Sequence, residues 1–295
     1  MRRSCRRSRP RRPVRRRRPS DRAVTDRRSP QDGPRKRAVR IAGPNTPQPV
    51  RQARYGLARV LSKRGLCSRS EAERRVREGR VRVAGRVVRD PEFPVALDAA
   101  DIVLDGDAAR GAAHHYLMLN KPRGLVTSAR DEQGRDTVYR CFDGAGLGWI
   151  APVGRLDRAS EGLLLFSSDP AWSARITEPE SGPHKTYHVQ VDAVPDADLL
   201  AALERGVEDA GQWLQATSVR MLRHGDRNAW LEVVLDEGRN RQIRRLTAAH
   251  GLTVLRLVRV AIGELALGAL GKGAWRTLTP EEVRALALPS DHASG

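Results

Sequence analysis

The chain has 295 residues, three cysteines, 18 prolines and a formal net charge of +19. This length is enough for two compact domains and a tail, whereas the lack of any apolar run of about 18–20 residues excludes a membrane span. No apolar region follows the basic N-terminus and no CxxC pair occurs. We therefore expect a cytoplasmic protein without a secretory signal, a disulfide framework or a zinc site.

The positive charge is concentrated at the front of the chain. Residues 1–52 contain 19 Lys and Arg against three Asp. Residues 54–90 carry a further net charge of +8, whereas residues 91–295 carry −5. A polyanion is therefore expected to bind mainly to the first 90 residues.

Residues 1–52 alternate arginine runs with proline and serine, as in RRSRPRRPVRRRRPS. They contain too few large apolar residues to offset the entropy of ordering the chain, so we predict a disordered arm. The arm either adds affinity for nucleic acid by neutralising phosphates or only solubilises the protein. An organellar transit peptide fits less well, because the prolines interrupt an amphipathic helix.

The next segment predicts two short helices and a hairpin. Leu57, Val60 and Leu61 have the i, i+3, i+4 spacing of a helix face. Ser70 with Glu73 resembles a capping box at the start of a second helix. The alternation in VRVAGRVV then predicts two strands joined at the Ala-Gly turn.

These helices carry many cations and few anions, which predicts a basic face that repels itself unless a polyanion binds. LSKRGLCSRSEAERRV and the following GRVRV resemble an S4 domain, an RNA-binding module, and we place this domain at residues 53–100. The resemblance implies RNA contacts from these helices. The basic side chains are Arg54, Arg59, Lys63, Arg64, Arg69, Arg74, Arg75 and Arg77; all but Arg54 and Arg77 are our candidate RNA-binding residues.

After a spacer at residues 91–111, a second domain is predicted at residues 112–288. HYLMLN, GLLLFSS, KTYHVQV and AWLEVVL are typical of strands, and residues 196–205 and 240–250 are typical of helices. The elements do not alternate regularly enough for a doubly wound sheet. We predict an α+β fold with a mixed, mostly antiparallel sheet.

Four motifs in this domain contain side chains suited to catalysis or binding: LNKPRG, GRLDRASEGLLL, KTYHVQV and EGRNRQIRRL. Taken singly, each has a structural explanation. In this order, behind an S4-like segment, they resemble the pseudouridine synthases that act on ribosomal RNA. The resemblance covers residues 55–285 and implies isomerisation of a uridine.

The resemblance implies roles for three side chains. Asp157 matches the catalytic aspartate, Tyr187 matches the tyrosine that packs on the target base, and Arg244 matches the basic residue that pairs with the aspartate. Strand alternation places Tyr187 on the core side of its strand, where its ring is available to a base. Arg244 flanks a buried helical stripe, so a carboxylate is a suitable partner for it.

The isomerisation needs no redox cofactor, ATP or metal, and no Walker or Rossmann glycine loop occurs. We expect no cofactor, and a monomer that binds ribosomal RNA, free or in a pre-ribosomal particle. The target uridine should be extruded from a loop or bulge. Four more candidates for RNA contact lie in the motifs: Lys121, Arg155, Lys185 and Arg241. Lys121 is either architectural or a phosphate contact, and Arg155 either contacts a phosphate or braces the GRLD turn.

Two other functions remain open. The chain is alternatively a non-catalytic S4-type RNA-binding or ribosome-assembly factor that keeps the scaffold. A hydrolase that uses Asp157 and Glu161 as paired carboxylates is less well supported, because no facing pair is evident. The RNRQIRRL form favours a large-subunit target. The sequence does not decide whether Asp157 adds to the nucleotide or removes a sugar proton.

Overall fold

A computed structural model describes residues 53–111, 113–129, 131–179 and 181–288. The predicted basic arm at residues 1–52 lies outside the described residues. Within the described part, no helix has the length and apolar character needed to cross a membrane.

Residues 54–108 form a small N-terminal module of two helices and short strands. Its four-stranded antiparallel sheet has the order β3-β2-β5-β6, and β1 pairs separately with β4. The elements are β1 (Arg54–Gly56), α1 (Leu57–Lys63), α2 (Arg69–Arg77), β2 (Val81–Val83), β3 (Arg86–Val88), β4 (Pro94–Ala96), β5 (Ile102–Leu104) and β6 (Asp107–Ala108).

The module differs from its prediction in two places. The N-cap of α2 is Ser68, whose side chain accepts from the amide of Glu71 at 3.2 Å, so the cap lies two residues before the predicted Ser70. The expected spacer at residues 91–111 instead contains three strands, and β5 pairs with β2. Too few apolar residues lie in the two helices alone to close a core, and β5 supplies Ile102 and Leu104 to it.

The remainder is built on a nine-stranded sheet with the order β13-β14-β10-β15-β9-β7-β17, to which β8 and β16 add at β9 and β15. β15 and β9 run parallel, and the other strand pairs of this sheet are antiparallel. The predicted α+β class with a mixed, mostly antiparallel sheet is confirmed.

The strands of this sheet, with a separate hairpin of β11 and β12, are β7 (Tyr116–Lys121), β8 (Ala151–Val153), β9 (Glu161–Ser167), β10 (Lys185–Val191), β11 (Val207–Asp209), β12 (Gln212–Leu214), β13 (Ser218–His224), β14 (Ala229–Leu235), β15 (Val254–Ile262), β16 (Leu265–Ala266) and β17 (Trp275–Thr277). The helices are a 3₁₀ turn (Val138–Phe142), α3 (Pro170–Thr177), α4 (Ala197–Arg205), α5 (Gln242–Ala249) and α6 (Pro280–Ala287).

The GLLLF run is continuous because β9 is buried on both faces. Leu164 and Phe166 belong to a large core that also receives Ile243 from α5. Leu163 and Leu165 face the opposite side, in a second core under α3 and α6. A central strand covered on both faces loses the polar alternation of a half-exposed strand, and the turn before it is thereby held against a rigid support.

Candidate active site

One cavity of about 630 Å³ is lined by the end of β8 and the turn after it, by one face of β10 and β15, and by the start of α5. This volume falls in the range of about 300–1,000 Å³ typical of ligand sites. Its charged lining consists of six cations and two carboxylates, so the cavity is strongly positive although residues 91–295 are net acidic. These residues are Arg155, Asp157, Lys185, Glu237, Arg239, Arg241, Arg244 and Arg259.

Asp157 lies in a turn that is fixed by the NKPRG segment. The hydroxyl of Thr127 donates to the carbonyl oxygen of Leu156 at 2.7 Å, and the amide of Gly124 donates to the carbonyl oxygen of Arg158 at 2.8 Å. The turn closes on itself through the Ser160 amide, which donates to the carbonyl oxygen of Asp157 at 2.9 Å. These bonds leave the Asp157 carboxylate directed by a backbone that has little freedom.

Lys121 is part of the same support, which favours the predicted architectural role over the alternative of a phosphate contact. Its side chain is fully buried, and the ammonium donates to the carbonyl oxygens of Ser160 at 2.9 Å and Pro122 at 3.1 Å. Burial is the main cause that lowers its pKa to about 8. Lys121 therefore supports the Asp157 turn from inside the protein, and RNA cannot reach it.

The arginine paired with Asp157 is Arg241, not the predicted Arg244. Arg241 Nη1 lies 3.4 Å from Asp157 Oδ2. Arg241 has left-handed backbone angles, φ 49° and ψ 33°, at the start of α5. Such a conformation is unfavourable for a residue with a Cβ and is often found where a side chain must be aimed at a site. Arg241 was predicted only as an RNA contact.

Arg244 holds the same turn through the backbone. Its guanidinium donates to the carbonyl oxygens of Val254 at 3.2 Å and Ala159 at 3.5 Å. Burial lowers the pKa of this group, the positive charge of Arg241 lowers it further, and Asp157 partly compensates. Arg244 thus lies near the carboxylate and fixes the chain two residues after it, without an ion pair among the described contacts.

Tyr187 lines the cavity from β10, on the face that strand alternation predicted. The residue is 8% exposed and belongs to the same apolar core as Val189 and Leu257. His188 points to the other face, where its Nε2 lies 3.4 Å from Glu232. The tyrosine ring is thus part of the wall that a ligand beside Asp157 would contact.

Lys185 and Arg155, both predicted as RNA contacts, also line the cavity. Burial lowers the pKa of Lys185 to about 8, and the charge of Arg259 acts in the same direction. Arg155 is exposed at the same cavity. Of these two, only Arg155 has the exposure of an ordinary phosphate contact.

All four arginines of α2 are paired with carboxylates, so this helix does not have the predicted self-repelling basic face. The guanidinium of Arg74 lies 2.7 Å from Glu71 and 2.7 Å from Glu78, and Arg75 lies 2.7 Å from Glu71. Arg69 lies within 3.4 Å of Glu73 and 3.3 Å of Glu92. Spacing of three or four residues along α2 produces most of these pairs.

The other three candidates in the module have two kinds of environment. Arg64 donates to the carbonyl oxygens of Leu97, Ala99 and Ala109, at 2.5–3.0 Å, so it holds the module together instead of facing RNA. Arg59 and Lys63 lie over the Tyr55 ring, at 5.4 and 4.4 Å from its centroid. Among the described residues neither has a carboxylate partner, so both are available to phosphates.

Glu161 does not join Asp157 as a second catalytic carboxylate. It is 4% exposed and lies 2.9 Å from Arg256 and 2.8 Å from Lys272. These cations lower its pKa to about 2, and Glu161 does not line the cavity. A hydrolase with this carboxylate pair is therefore not supported.

Arg259 is the cavity residue that sequence reasoning missed. It is 5% exposed and lines the cavity from β15. The signal in the sequence is an arginine inside LRLVRVAI, a run otherwise typical of a buried strand. Arg256 in the same run is bonded to Glu161 instead, so the sequence did not indicate which of the two arginines faces the cavity.

The family comparisons agree with this architecture. Residues 56–101 match the S4 domain, and residues 115–249 match the family of RNA pseudouridylate synthases. The chain is 35% identical to the ribosomal large subunit pseudouridine synthase B of Bacillus subtilis, over 80% of this chain and 97% of the relative. It is 34% identical to an RNA pseudouridine synthase of Aquifex aeolicus, over 77% and 92%.

A solved structure of a pseudouridylate synthase superposes with a TM-score of 0.55 and 30% identity, covering 79% of this chain and 99% of the other. The chain therefore belongs to the RNA pseudouridylate synthase family. It is a pseudouridine synthase with an N-terminal S4 domain.

Proposed function

We propose that the protein converts a uridine of large-subunit ribosomal RNA to pseudouridine, with Asp157 as the catalytic carboxylate. The subunit is supported by the 35% identity to the Bacillus subtilis relative, which is named for the large subunit and is matched over 97% of its length. The enzyme acts in the cytoplasm as a monomer, on RNA that is free or in a pre-ribosomal particle.

The observation that carries this proposal is the placement of Asp157. Its carboxylate is 30% exposed, lies in a cavity that also contains the Tyr187 ring, and is paired with Arg241 at 3.4 Å. An ion pair orients a half-buried carboxylate. An oriented aspartate beside an aromatic ring can act on the sugar of a base that is packed on that ring.

Two routes use this carboxylate. Asp157 attacks C1′ of the ribose and forms a bond to it as the N1–C1′ bond breaks. Alternatively, Asp157 removes the C2′ proton, and the C1′=C2′ double bond forms as the base leaves. In both routes the base turns and its C5 bonds to C1′, as the Asp157–C1′ bond breaks in the first route and as Asp157 returns the proton to C2′ in the second. The C5 proton is then lost and N1 takes up a proton, so uridine and pseudouridine have the same atoms.

Binding is divided between the regions. Arg59 and Lys63 of the S4 domain contact phosphates, and Arg155 contacts the backbone beside the cavity. This is supported by the exposure of Arg59 and Arg155 and by the lack of carboxylate partners for all three among the described residues. The arm at residues 1–52 adds sequence-independent affinity through its 19 basic residues. The uridine is extruded into the cavity, since its reacting atoms are inaccessible in a helix.

The test is the Asp157→Asn variant, with Asp136→Asn as the matched control because Asp136 pairs with Arg140 at the surface. Pseudouridine is mapped chemically in large- and small-subunit RNA treated with each protein. We expect Asp157→Asn to form no pseudouridine while the Kd for RNA is unchanged, and the control to act like the wild type. Retained activity in Asp157→Asn overturns the catalytic assignment, and modification of small-subunit RNA alone overturns the proposed target.

A further inference from the structure

The buried polar atoms that lack partners are concentrated at the cavity. In the described part of the chain, four buried side-chain polar atoms have no hydrogen-bond partner, and three of them belong to residues that line the cavity: Ser160, Arg244 and Arg259. Buried polar groups in folded proteins are nearly always bonded. Such a cluster points to a ligand that supplies the missing partners.

Arg259 has the strongest need for a partner. Its side chain is 5% exposed, its Nε donates to the carbonyl oxygen of Leu163 at 2.7 Å, and its Nη2 is buried without an acceptor. Among the described residues, no carboxylate forms an ion pair with it. A buried cation without a counter-charge is costly, so this arrangement is expected only where function requires it.

The position of Arg259 is fixed by an unusually close approach of β9 and β15. Gly162 has φ +100°, and a Cβ on it would lie 2.2 Å from the carbonyl oxygen of Arg259. Only glycine permits the strands to meet at this distance. The guanidinium is therefore anchored both by its own backbone and by Leu163, and cannot swing out to the surface.

Strand register places the side chains of Arg259 and Tyr187 on one face of the sheet. Tyr187 of β10 is directly opposite Arg259 of β15, and the register shifts between Thr186 and Tyr187. Residues directly opposite each other share a face, with Cβ atoms about 4.5–5.5 Å apart. Lys185, two residues before Tyr187, lies on the same side of β10. A base packed on Tyr187 thus lies in a cavity that both of these cations also line.

We propose that Arg259, assisted by Lys185, binds a carbonyl oxygen of the flipped uracil and stabilises the negative charge that the base acquires when it detaches. This role rests on the proposed function of Asp157. When the N1–C1′ bond breaks, its electron pair passes to the uracil ring and spreads onto O2 and O4, while C1′ is satisfied by either of the two routes given above. The two cations are unchanged at the end of the reaction.

Burial favours a base over a phosphate as the ligand. The exposed cations Arg155 and Arg241 also line the cavity, where an extruded nucleotide keeps its phosphates in water. Arg259 lies behind them against the sheet. A donor that is fixed before the reaction and shielded from water stabilises developing charge much better than one in solvent.

The experiment compares Arg259→Met and Arg259→Lys with the wild type in single-turnover reactions on a ribosomal RNA fragment containing uridine or 5-fluorouridine at the target. Fluorine at C5 makes the uracil ring a better holder of negative charge, so detachment depends less on the protein. Arg220→Met is the matched control, because Arg220 lies on edge strand β13, is 63% exposed and pairs with Glu232 of β14.

We expect Arg259→Met to lower the rate constant for uridine about 100-fold, the scale seen when one charge-stabilising donor is removed. By the same reasoning, the rate constant for consumption of 5-fluorouridine should fall about tenfold or less. Arg259→Lys should recover part of the rate. The Kd for RNA should not change in either variant. The control should behave like the wild type.

Three outcomes overturn the inference: an unchanged rate, equal losses on both nucleotides, or a weaker Kd with a reduced salt slope, which would identify a phosphate contact. If Arg259→Met does not fold, as judged by thermal unfolding, the Arg259→Lys comparison on the two nucleotides decides alone. An inactive wild type would reject the proposed function instead, so the two failures are distinguishable.

Discussion

The N-terminal module and the catalytic cavity use arginine in opposite ways. In the module, Arg74 and Arg75 are exposed or half-buried and share the carboxylate of Glu71. In the cavity, Arg244 and Arg259 are bonded to backbone carbonyls and keep buried N–H groups without partners. Counting charges along the chain would rank the module as the cationic site, but among the described residues the buried guanidinium N–H groups without partners lie in the cavity.

The difference follows from solvent. An exposed ion pair contributes about 0–1 kcal/mol and can be exchanged for a phosphate at little cost. A buried guanidinium cannot rearrange, because each alternative would break a bond to the backbone and leave a carbonyl without a donor. The module is therefore suited to adjustable attachment, and the cavity to a fixed geometry.

The largest effect should come from closing the space between β9 and β15. Gly162→Ala should lower the free energy of unfolding by about 3 kcal/mol or more, since a Cβ would collide with the Arg259 backbone. Gly124→Ala is the control, because Gly124 has φ +101° but no atom within 4 Å of the added Cβ. Chemical denaturation measures both. Equal losses would mean that the φ angle, not the close approach, is the constraint.

Substitutions of the two arginines near Asp157 should have different effects on rate and stability. Arg241→Met should lower the rate constant about 10- to 100-fold, because the carboxylate loses its orienting partner, with unchanged thermal stability. Arg244→Met should lower both the rate and the stability, the latter by about 1–3 kcal/mol, since two backbone carbonyls lose a donor. Single-turnover rates and thermal unfolding are measured on both variants. A reversed pattern would show that Arg244 is the orienting group.

The lowered pKa of Lys185 predicts a loss of activity in alkali. Because a lysine is charged only below its pKa, a value of about 8 places the loss of the cation above pH 8 instead of near pH 10. The rate should fall about fivefold between pH 8 and pH 9 if the cation is required, because the charged fraction falls from about one half to about one tenth. The arginine of Lys185→Arg keeps its charge, so this alkaline limb of the pH–rate profile should move to higher pH.

Lys121 also has a pKa of about 8 and is the alternative source of that limb. An alkaline limb that is unchanged in Lys185→Arg would assign the titration to Lys121 or to the RNA, and would argue against a role for Lys185 in charge stabilisation.

The smallest effect should be in the S4 domain. Arg59→Gln should weaken RNA binding and lower the slope of log K against log salt by about 1, because one phosphate contact is lost. Arg74→Gln should do so less, since Arg74 is already paired with Glu71 and Glu78. Equal losses in a salt titration would mean that the ion pairs open on RNA binding and that pairing does not distinguish the two arginines.

Most of the fold was accessible from the sequence. The period of two in KTYHVQV gave the face of Tyr187, and the burial of GLLLF on both sides follows from its continuous apolar character. The S4-like helices were located, but β5 was missed because IVL lies among aspartates and glycines typical of a loop. Its place in the sheet depends on pairing with β2, a contact that local pattern cannot reveal.

The sequence by itself determined the fold class and the family, and it predicted the roles of Asp157 and Tyr187. Only the tertiary structure decided which arginine pairs with Asp157, that Lys121 is internal, and that Arg259 lies opposite Tyr187. The physical reason is that residue types and spacing fix the local face of a side chain. Its partner is chosen by strand register, a left-handed residue at the start of α5 and a glycine that lets two strands approach.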